Sequence, residues 1–200
     1  MVSISELNFE IIYCKKCSLH SSRRCPVPGA GHRYADLMIV GEGPGEQEDQ
    51  QGFPFVGRSG QLLTETLLKV GLTREDVFIT NIIKCRPPGN RDPLPEEVQS
   101  CRIYLERQID LIKPKLIVAL GRIAATHLLN RQIKITKEHG NLDVLPSNDD
   151  ILVSIIYHPS YVLRNKNTKI EEDFYMDLLE ARNIVYGTTT NSSVPKGSTG

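Results

Sequence analysis

No segment of this 200-residue chain approaches the roughly 18 consecutive apolar residues of a membrane-spanning helix, and no apolar run follows a basic N-terminus. Neither a membrane contact nor a secretory signal is therefore expected, and the chain reads as cytoplasmic. Neither sign of charge is in excess: 24 Lys and Arg balance 24 Asp and Glu. Overall charge neither invites nor excludes nucleic acid, so any phosphate contact has to come from a local cluster. Internal repeats are absent too. In an intracellular chain the five cysteines, Cys14, Cys17, Cys25, Cys85 and Cys101, are metal ligands or free thiols more often than disulfides. The length suits one domain with a full core, placed at residues 1–186. From Gly187 to Gly200 the sequence is Thr, Ser, Asn and Gly with almost no apolar content, the composition of a disordered tail.

Hydrophobic periodicity predicts alternating strands and helices. Ile4, Leu7, Ile11 and Ile12 recur at helical spacing behind a Ser cap. A loop rich in Ser, Arg, Pro and Gly follows to about Tyr34. Strands are expected at Leu37–Val40, Val77–Ile83, Leu116–Leu120 and Ile151–Tyr157. Helices are expected at Ser59–Val70, Pro95–Ile112, Arg122–Leu129 and Ile170–Val185. Pro95 at the start of the second of these, with Glu96 and Glu97 in its first turn, is a helix N-terminal signal. The alternation implies an α/β fold: a single-domain three-layer sandwich whose four-stranded, mostly parallel sheet is covered by helices on both faces.

The most informative stretch follows the first strand: Gly41-Glu42-Gly43-Pro44-Gly45-Glu46-Gln47-Glu48-Asp49, then Phe53-Pro54-Phe55-Val56-Gly57. In open α/β sheets ligands bind beyond the C-terminal ends of strands. Glycines there let backbone N–H groups approach a flat or anionic ligand. A phosphate loop does not fit. After Gly41 and four intervening residues the motif requires Gly-Lys-Ser/Thr, yet Glu46 stands there and no lysine follows. A dinucleotide fingerprint fails at the same Glu46, and the carboxylates would repel a pyrophosphate. The plainer alternative is a glycine-rich surface turn with solvated carboxylates.

Three further constellations lie on or near the same rim. Cys14-x2-Cys17 is a chelating half-site, and Cys85 and Cys101, separated by fifteen residues, can supply two more thiolates. Zinc and an iron–sulfur cluster both use four cysteines, and the wide second spacing favours the larger group. Buried free thiols are the plainer reading. Cys25 is the odd one out. Asn81, ending the second strand, offers a donor and an acceptor side by side, matching the N3–H and O4 edge of uracil; alone it would pass for a turn residue. His158-Pro159-Ser160-Tyr161-Val162-Leu163-Arg164 follows the last strand and is expected to form an exposed loop. An apolar wedge beside a cation is a device for entering a base stack; the alternative is a satisfied histidine and a short apolar anchor. His127 and His139 are read as structural.

Together and in this order, the motifs make the chain resemble the family-4 uracil-DNA glycosylases, the iron–sulfur type of bacteria and archaea. The matching residues are Cys14-x2-Cys17, Gly41-Glu-Gly-Pro-Gly-Glu with Glu48-Asp49, Phe53-Pro-Phe55-Val-Gly57, Asn81-Ile-Ile-Lys-Cys85-Arg-Pro-Pro, Cys101 and His158-Pro-Ser160. The resemblance covers about residues 8–185. It implies a [4Fe–4S] cluster on Cys14, Cys17, Cys85 and Cys101, and a uracil pocket formed by Gly41, Gly43 and Phe55. It also implies base reading by Asn81 and contact of His158 with O2. The best-known uracil-DNA glycosylases carry a water-activating Asp where Gly43 stands here. Glu42 and Glu48 are the candidates for that task, and Glu48 can alternatively wall off the 5-methyl of thymine.

The expected activity is monofunctional hydrolysis of the N-glycosidic bond of uracil in DNA, leaving an abasic site in base excision repair. Tyr161, Leu163 and Arg164 would hold the strand open, with Arg86 and Arg91 on phosphates. The substrate partner is single- or double-stranded uracil-containing DNA. A monomer is expected, and a sliding clamp is a candidate partner without a legible motif. Two other readings compete. One is a non-catalytic uracil- or DNA-binding module with a structural metal centre, suggested by the missing Asp. The other is a hydrolase of free nucleosides, which leaves the wedge and the arginines without a use.

Overall fold

The computed structural model describes residues 3–188. The tail expected to be disordered falls, beyond residue 188, outside the described residues. In chain order the elements are α1 (Ile4–Ile12), β1 (Ala30–Gly31), β2 (Leu37–Gly41), α2 (Glu46–Gln51), α3 (Arg58–Lys69), β3 (Phe78–Asn81), α4 (Pro95–Ile112), β4 (Leu116–Leu120), α5 (Gly121–Leu129), α6 (Ile135–Glu138), β5 (Leu142–Leu145), β6 (Asn148–Ile156), α7 (Pro159–Arg164) and α8 (Lys169–Tyr186).

The sheet has six strands in the order β1-β3-β2-β4-β6-β5, not the four expected. The central four, β3, β2, β4 and β6, are mutually parallel and are the ones the apolar runs predict. The two additional strands are antiparallel edges, β1 on β3 and β5 on β6. Both escape hydrophobic patterning because β1 is two residues long and β5 is largely exposed.

Strand geometry divides the core in two. Side chains alternate across the sheet, so Met38 and Val40 of β2 enter one apolar cluster while Leu37 and Ile39 enter the other. The first cluster is closed by Leu7 and Ile11 of α1, by Val98, Leu105 and Ile109 of α4, and by Ala124, Ala125 and Leu128 of α5. The second is closed by Leu63 and Leu67 of α3 and by Phe174, Leu178 and Ala181 of α8. Three layers result, as expected. Among the described residues no helix is long and apolar enough to cross a membrane.

From β2 the chain moves outward to β3, then returns across β2 to β4. Adjacent crossovers therefore leave in opposite directions beside β2, which opens a crevice at the C-terminal ends of these strands.

Candidate active site

That crevice is lined from four strand ends. Glu42, Gly43 and Gly45 follow β2, Asn81 ends β3, Arg122 follows β4, and His158 follows β6. Phe55, Glu48, Tyr161 and Arg164 complete its walls. The structure thus brings together Glu42, Gly43, Glu48, Phe55, Asn81, His158, Tyr161 and Arg164 of the residues singled out by sequence. Arg91 lines the rim, but its guanidinium is forked onto the buried Glu97 at 2.6 and 2.9 Å. Arg86 donates through Nε to Asn90 at 2.7 Å. Leu163 lies beside the crevice, half-buried against the second core.

Asn81 is 1 % exposed, and its Oδ1 has no hydrogen-bond partner among the described residues. A buried amide oxygen left unpaired costs about 1–3 kcal/mol, so a donor is missing at this point of the pocket. Gly41 explains how the amide fits. A Cβ at position 41 would lie 2.5 Å from Asn81 Oδ1 and 2.5 Å from Phe55 Cζ. Glycine here lets the amide and the aromatic ring meet at the pocket floor.

His158 is the N-cap of α7, and its Nδ1 accepts the Ser160 N–H at 3.1 Å. The Ser160 hydroxyl lies 2.8 Å from the same nitrogen. With Nδ1 an acceptor, the neutral ring carries its proton on Nε2, which makes no hydrogen bond among the described residues. Burial, with Arg164 nearby, pushes His158 down to about 4; Glu48 acts the other way. The ring is therefore a neutral donor at working pH. Gly121, at φ +89, permits its approach, since a Cβ there would sit 2.9 Å from His158 Cβ.

The four carboxylates of the glycine loop divide by task. Glu46, Glu48 and Asp49 do not lie in a loop, as their polarity suggests, but start α2, where acidic side chains suit the helix dipole. Glu46 faces solvent, and the buried Asp49 accepts the Arg24 N–H at 3.0 Å. Glu48 accepts three backbone N–H groups, from Gly45, Val56 and Gly57. Glu42, half-buried, makes no hydrogen bond among the described residues. Burial and the neighbouring Asp92 push its carboxyl up to about 7, against the pull of Arg122.

The His158–Arg164 segment was expected to be an exposed loop. It is instead a short helix whose Pro159 and Val162 are buried. Arg164 lies over the Tyr161 ring, 6.0 Å from its centroid.

The cysteines converge elsewhere. Cys14 and Cys17 behind α1, Cys85 behind β3 and Cys101 on α4 line one small cavity. All five cysteines are free, and Cys25 lies apart from this cavity, 3.9 Å from the Gln50 carbonyl. N–H donors already point at three of the four sulfurs: Arg23 at Cys85 (2.9 Å), Lys84 backbone at Cys101 (3.3 Å) and Lys16 backbone at Cys14 (3.5 Å). Burial raises the thiols of Cys17, Cys85 and Cys101, the last to about 11. Among the described residues no three His, Cys, Asp or Glu side chains are set around a single ion. Four thiols on one cavity are a donor set used by both zinc and iron–sulfur centres.

Sequence reasoning missed Arg122, Asp92 and Lys84. Lys84 is 1 % exposed, and its Nζ donates to Thr80 Oγ1, the Asn81 carbonyl and Gln108 Oε1, each at 2.7 Å. Burial pushes this ammonium down to about 7, while the Cys101 and Cys85 sulfurs act the other way. A lysine ending an apolar strand was the available signal.

Comparison with known proteins places these features in a family context. The model of the uracil DNA glycosylase superfamily matches residues 28–179. The type-4 uracil-DNA glycosylase of Sulfurisphaera tokodaii is 46% identical over 182 residues, covering 87% of this chain and 83% of the relative. That of Archaeoglobus fulgidus is 45% identical over 181 residues, 87% of this chain and 91% of the relative. That of Thermotoga maritima is 44% identical over 174 residues, 86% and 89% of the two chains.

Proposed function

The chain belongs to the type-4 uracil-DNA glycosylases of the uracil DNA glycosylase superfamily, and from that premise we propose that it excises uracil from DNA by hydrolysing the N-glycosidic bond. The product is an abasic site, and the biological setting is intracellular repair of deaminated cytosine. The observation that carries this reading is the Asn81 amide, buried on the pocket floor with its Oδ1 unpartnered. Uracil offers the N3–H that this oxygen lacks, and its O4 can accept from the other end of the same amide.

A base inside a duplex must be flipped out or met in a single strand. Phe55 stacks on the extruded uracil, a contact worth about 1–3 kcal/mol in single-strand binders. Tyr161 and Arg164 stand at the mouth with Leu163 beside them, placed to fill the vacated stack. Arg86 and Arg122 supply phosphate contacts, which position without specifying.

Cleavage leaves negative charge on uracil and positive charge on the sugar. His158 donates from Nε2 to O2 as that oxygen becomes anionic, and backbone N–H groups around Gly41 and Gly43 add to it. Fixed donors aimed at developing charge are usually the largest catalytic contribution. Glu42 is the carboxylate for the sugar side, either orienting water or facing the cation. Its three backbone bonds make Glu48 a poor choice for that step and a good brace for the pocket wall. The lining residues include no lysine, and the buried Lys84 amine is engaged by three oxygens. Water is then the nucleophile, and the enzyme is monofunctional.

For the cofactor we favour a [4Fe–4S] cluster on Cys14, Cys17, Cys85 and Cys101, which supplies cross-linking rather than redox chemistry in this role. Held by these four residues, it would join α1 and the Cys85 loop to α4. A monomer is the proposed state, and a sliding clamp is a candidate partner.

The test is incubation with a uracil-containing oligonucleotide, single- and double-stranded, followed by alkali. Strand scission at uracil, with free uracil released and a thymine control intact, is the expected result. Binding without scission would favour the non-catalytic module.

A further inference from the structure

Phe55 has φ +51, the left-handed region. Among the described residues, five other than glycine have positive φ. Three are asparagines, which tolerate it, and Lys113 closes the C-terminus of α4. A bulky aromatic in the middle of a loop is a different case, because its Cβ crowds the backbone there and the conformation persists only when its surroundings impose it.

The surroundings are visible on both flanking peptide planes. Arg74 donates from Nη2 to the Pro54 carbonyl at 2.6 Å and from Nη1 to the Phe55 carbonyl at 3.0 Å. Thr64 Oγ1 holds the same Nη1 at 3.3 Å. On the opposite side Glu48 Oε1 accepts the N–H of Val56 and of Gly57, each at 2.8 Å. The Phe55–Val56 peptide is thus held at its oxygen by a cation and at its nitrogen by an anion. The Pro54–Phe55 peptide is held at its oxygen. Between them these contacts fix both dihedrals of Phe55. Gly60 forms the third wall: a Cβ there would lie 1.8 Å from the Phe55 oxygen and 2.0 Å from its carbonyl carbon. The ring so presented is 7 % exposed, against the Gly41 floor and 6.0 Å from the His158 ring.

We propose that Arg74 is a positioning residue for base excision, forming with Glu48 and Gly60 a clamp that holds Phe55 in a strained conformation as a preformed stacking platform. Arg74 does not line the pocket and belongs to none of the motifs read from sequence. Its role is exerted through one ring. The inference rests on the reading of Phe55 as the residue that stacks on uracil.

The test is a double-mutant cycle on the intact protein, read as single-turnover excision of uracil from single-stranded DNA. Phe55→Ala and Arg74→Met are each expected to slow the chemical step at least tenfold. In the Phe55→Ala background, Arg74→Met should add less than twofold, because residues acting through one group are not additive. Binding of uracil-free DNA, which places no base against the Phe55 ring, should change less than twofold. Gly60→Ala provides a second probe, independent of whether Arg74→Met folds. Gly to Ala inside a helix ordinarily stabilises it, yet here the added Cβ meets the Phe55 backbone, so the variant should melt lower and, assayed well below its melting temperature, reproduce the loss of excision. Losses that multiply fully between Arg74→Met and Phe55→Ala, or a Gly60→Ala protein with the wild-type rate, would overturn the clamp. Wild-type excision by Phe55→Ala would instead remove the stacking role on which it rests, and the inference with it.

Discussion

Glu42 sets a pH dependence whose direction can be worked out in advance. Its carboxyl is pushed from 4.5 to about 7 by burial and by Asp92, with Arg122 opposing. Only the ionised form can take a proton from water or face a sugar cation. A group with a pKa near 7 is about one-tenth ionised at pH 6 and about nine-tenths at pH 8, so single-turnover excision should rise about tenfold between them. His158, held down at about 4, adds no second limb in this range. The neighbours give a signed control. Asp92→Asn removes a repulsion and should move the midpoint to lower pH, and Arg122→Met should move it up. Glu42→Gln should lower the chemical step by roughly 10²–10⁴, the span of general acid–base contributions. Stability should go the other way. A carboxylate whose folded pKa is raised favours folding when protonated, and that advantage is lost as pH rises from 4.5 to about 7. Glu42→Gln avoids that loss and should melt higher than wild type at pH 8. A flat rate from pH 6 to pH 8, with Glu42→Gln retaining half the activity or more, would refute the assignment.

Asn81→Asp should lose most uracil excision and gain weak cytosine excision, because the carboxylate no longer donates to O4 but accepts from cytosine's amine; mispairing in a dry pocket costs about 1–3 kcal/mol per group. Excision assays on matched uracil and cytosine oligonucleotides decide this, and a wild-type uracil rate would remove Asn81 from base reading. Leu163→Ala should slow excision from duplex more than from single-stranded DNA, since a single strand needs little unstacking; equal losses would end the wedge role. The purified protein should be yellow-brown. Cys25→Ser should keep the visible absorbance and Cys85→Ser or Cys101→Ser should lose it, whereas a colourless protein holding one zinc would disprove the cluster.

Much of this architecture was legible in the sequence. The four parallel strands are apolar because both faces are buried, and Pro95–Ile112 and Leu116–Leu120 were read to the residue. Residues at strand ends, such as Asn81 and His158, were legible because strand polarity puts them on one rim. The helix Glu46–Gln51 was not, since Glu-Gln-Glu-Asp-Gln-Gln carries no apolar period. The helix Pro159–Arg164 was hidden by its brevity and by a histidine cap in place of the usual Ser or Asp. Arg74 and Lys84 were beyond reach for another reason. Their roles come from where the chain folds back, Arg74 onto carbonyls nineteen and twenty residues away and Lys84 onto Gln108.

The two edge strands also bear on what the protein does when it is warm or crowded. An exposed sheet edge is a template on which other chains can nucleate aggregation. At one end of this sheet the template is only Ala30–Gly31 long, too short for a second chain to register against. At the other, Asp143 of the outer strand is ion-paired with Arg131 at 2.8 Å, and Asp149 and Asp150 lie on the strand beside it, so an incoming strand would have to bury charge. Both ends of the sheet thus carry a guard against edge-to-edge pairing between copies of a repair enzyme.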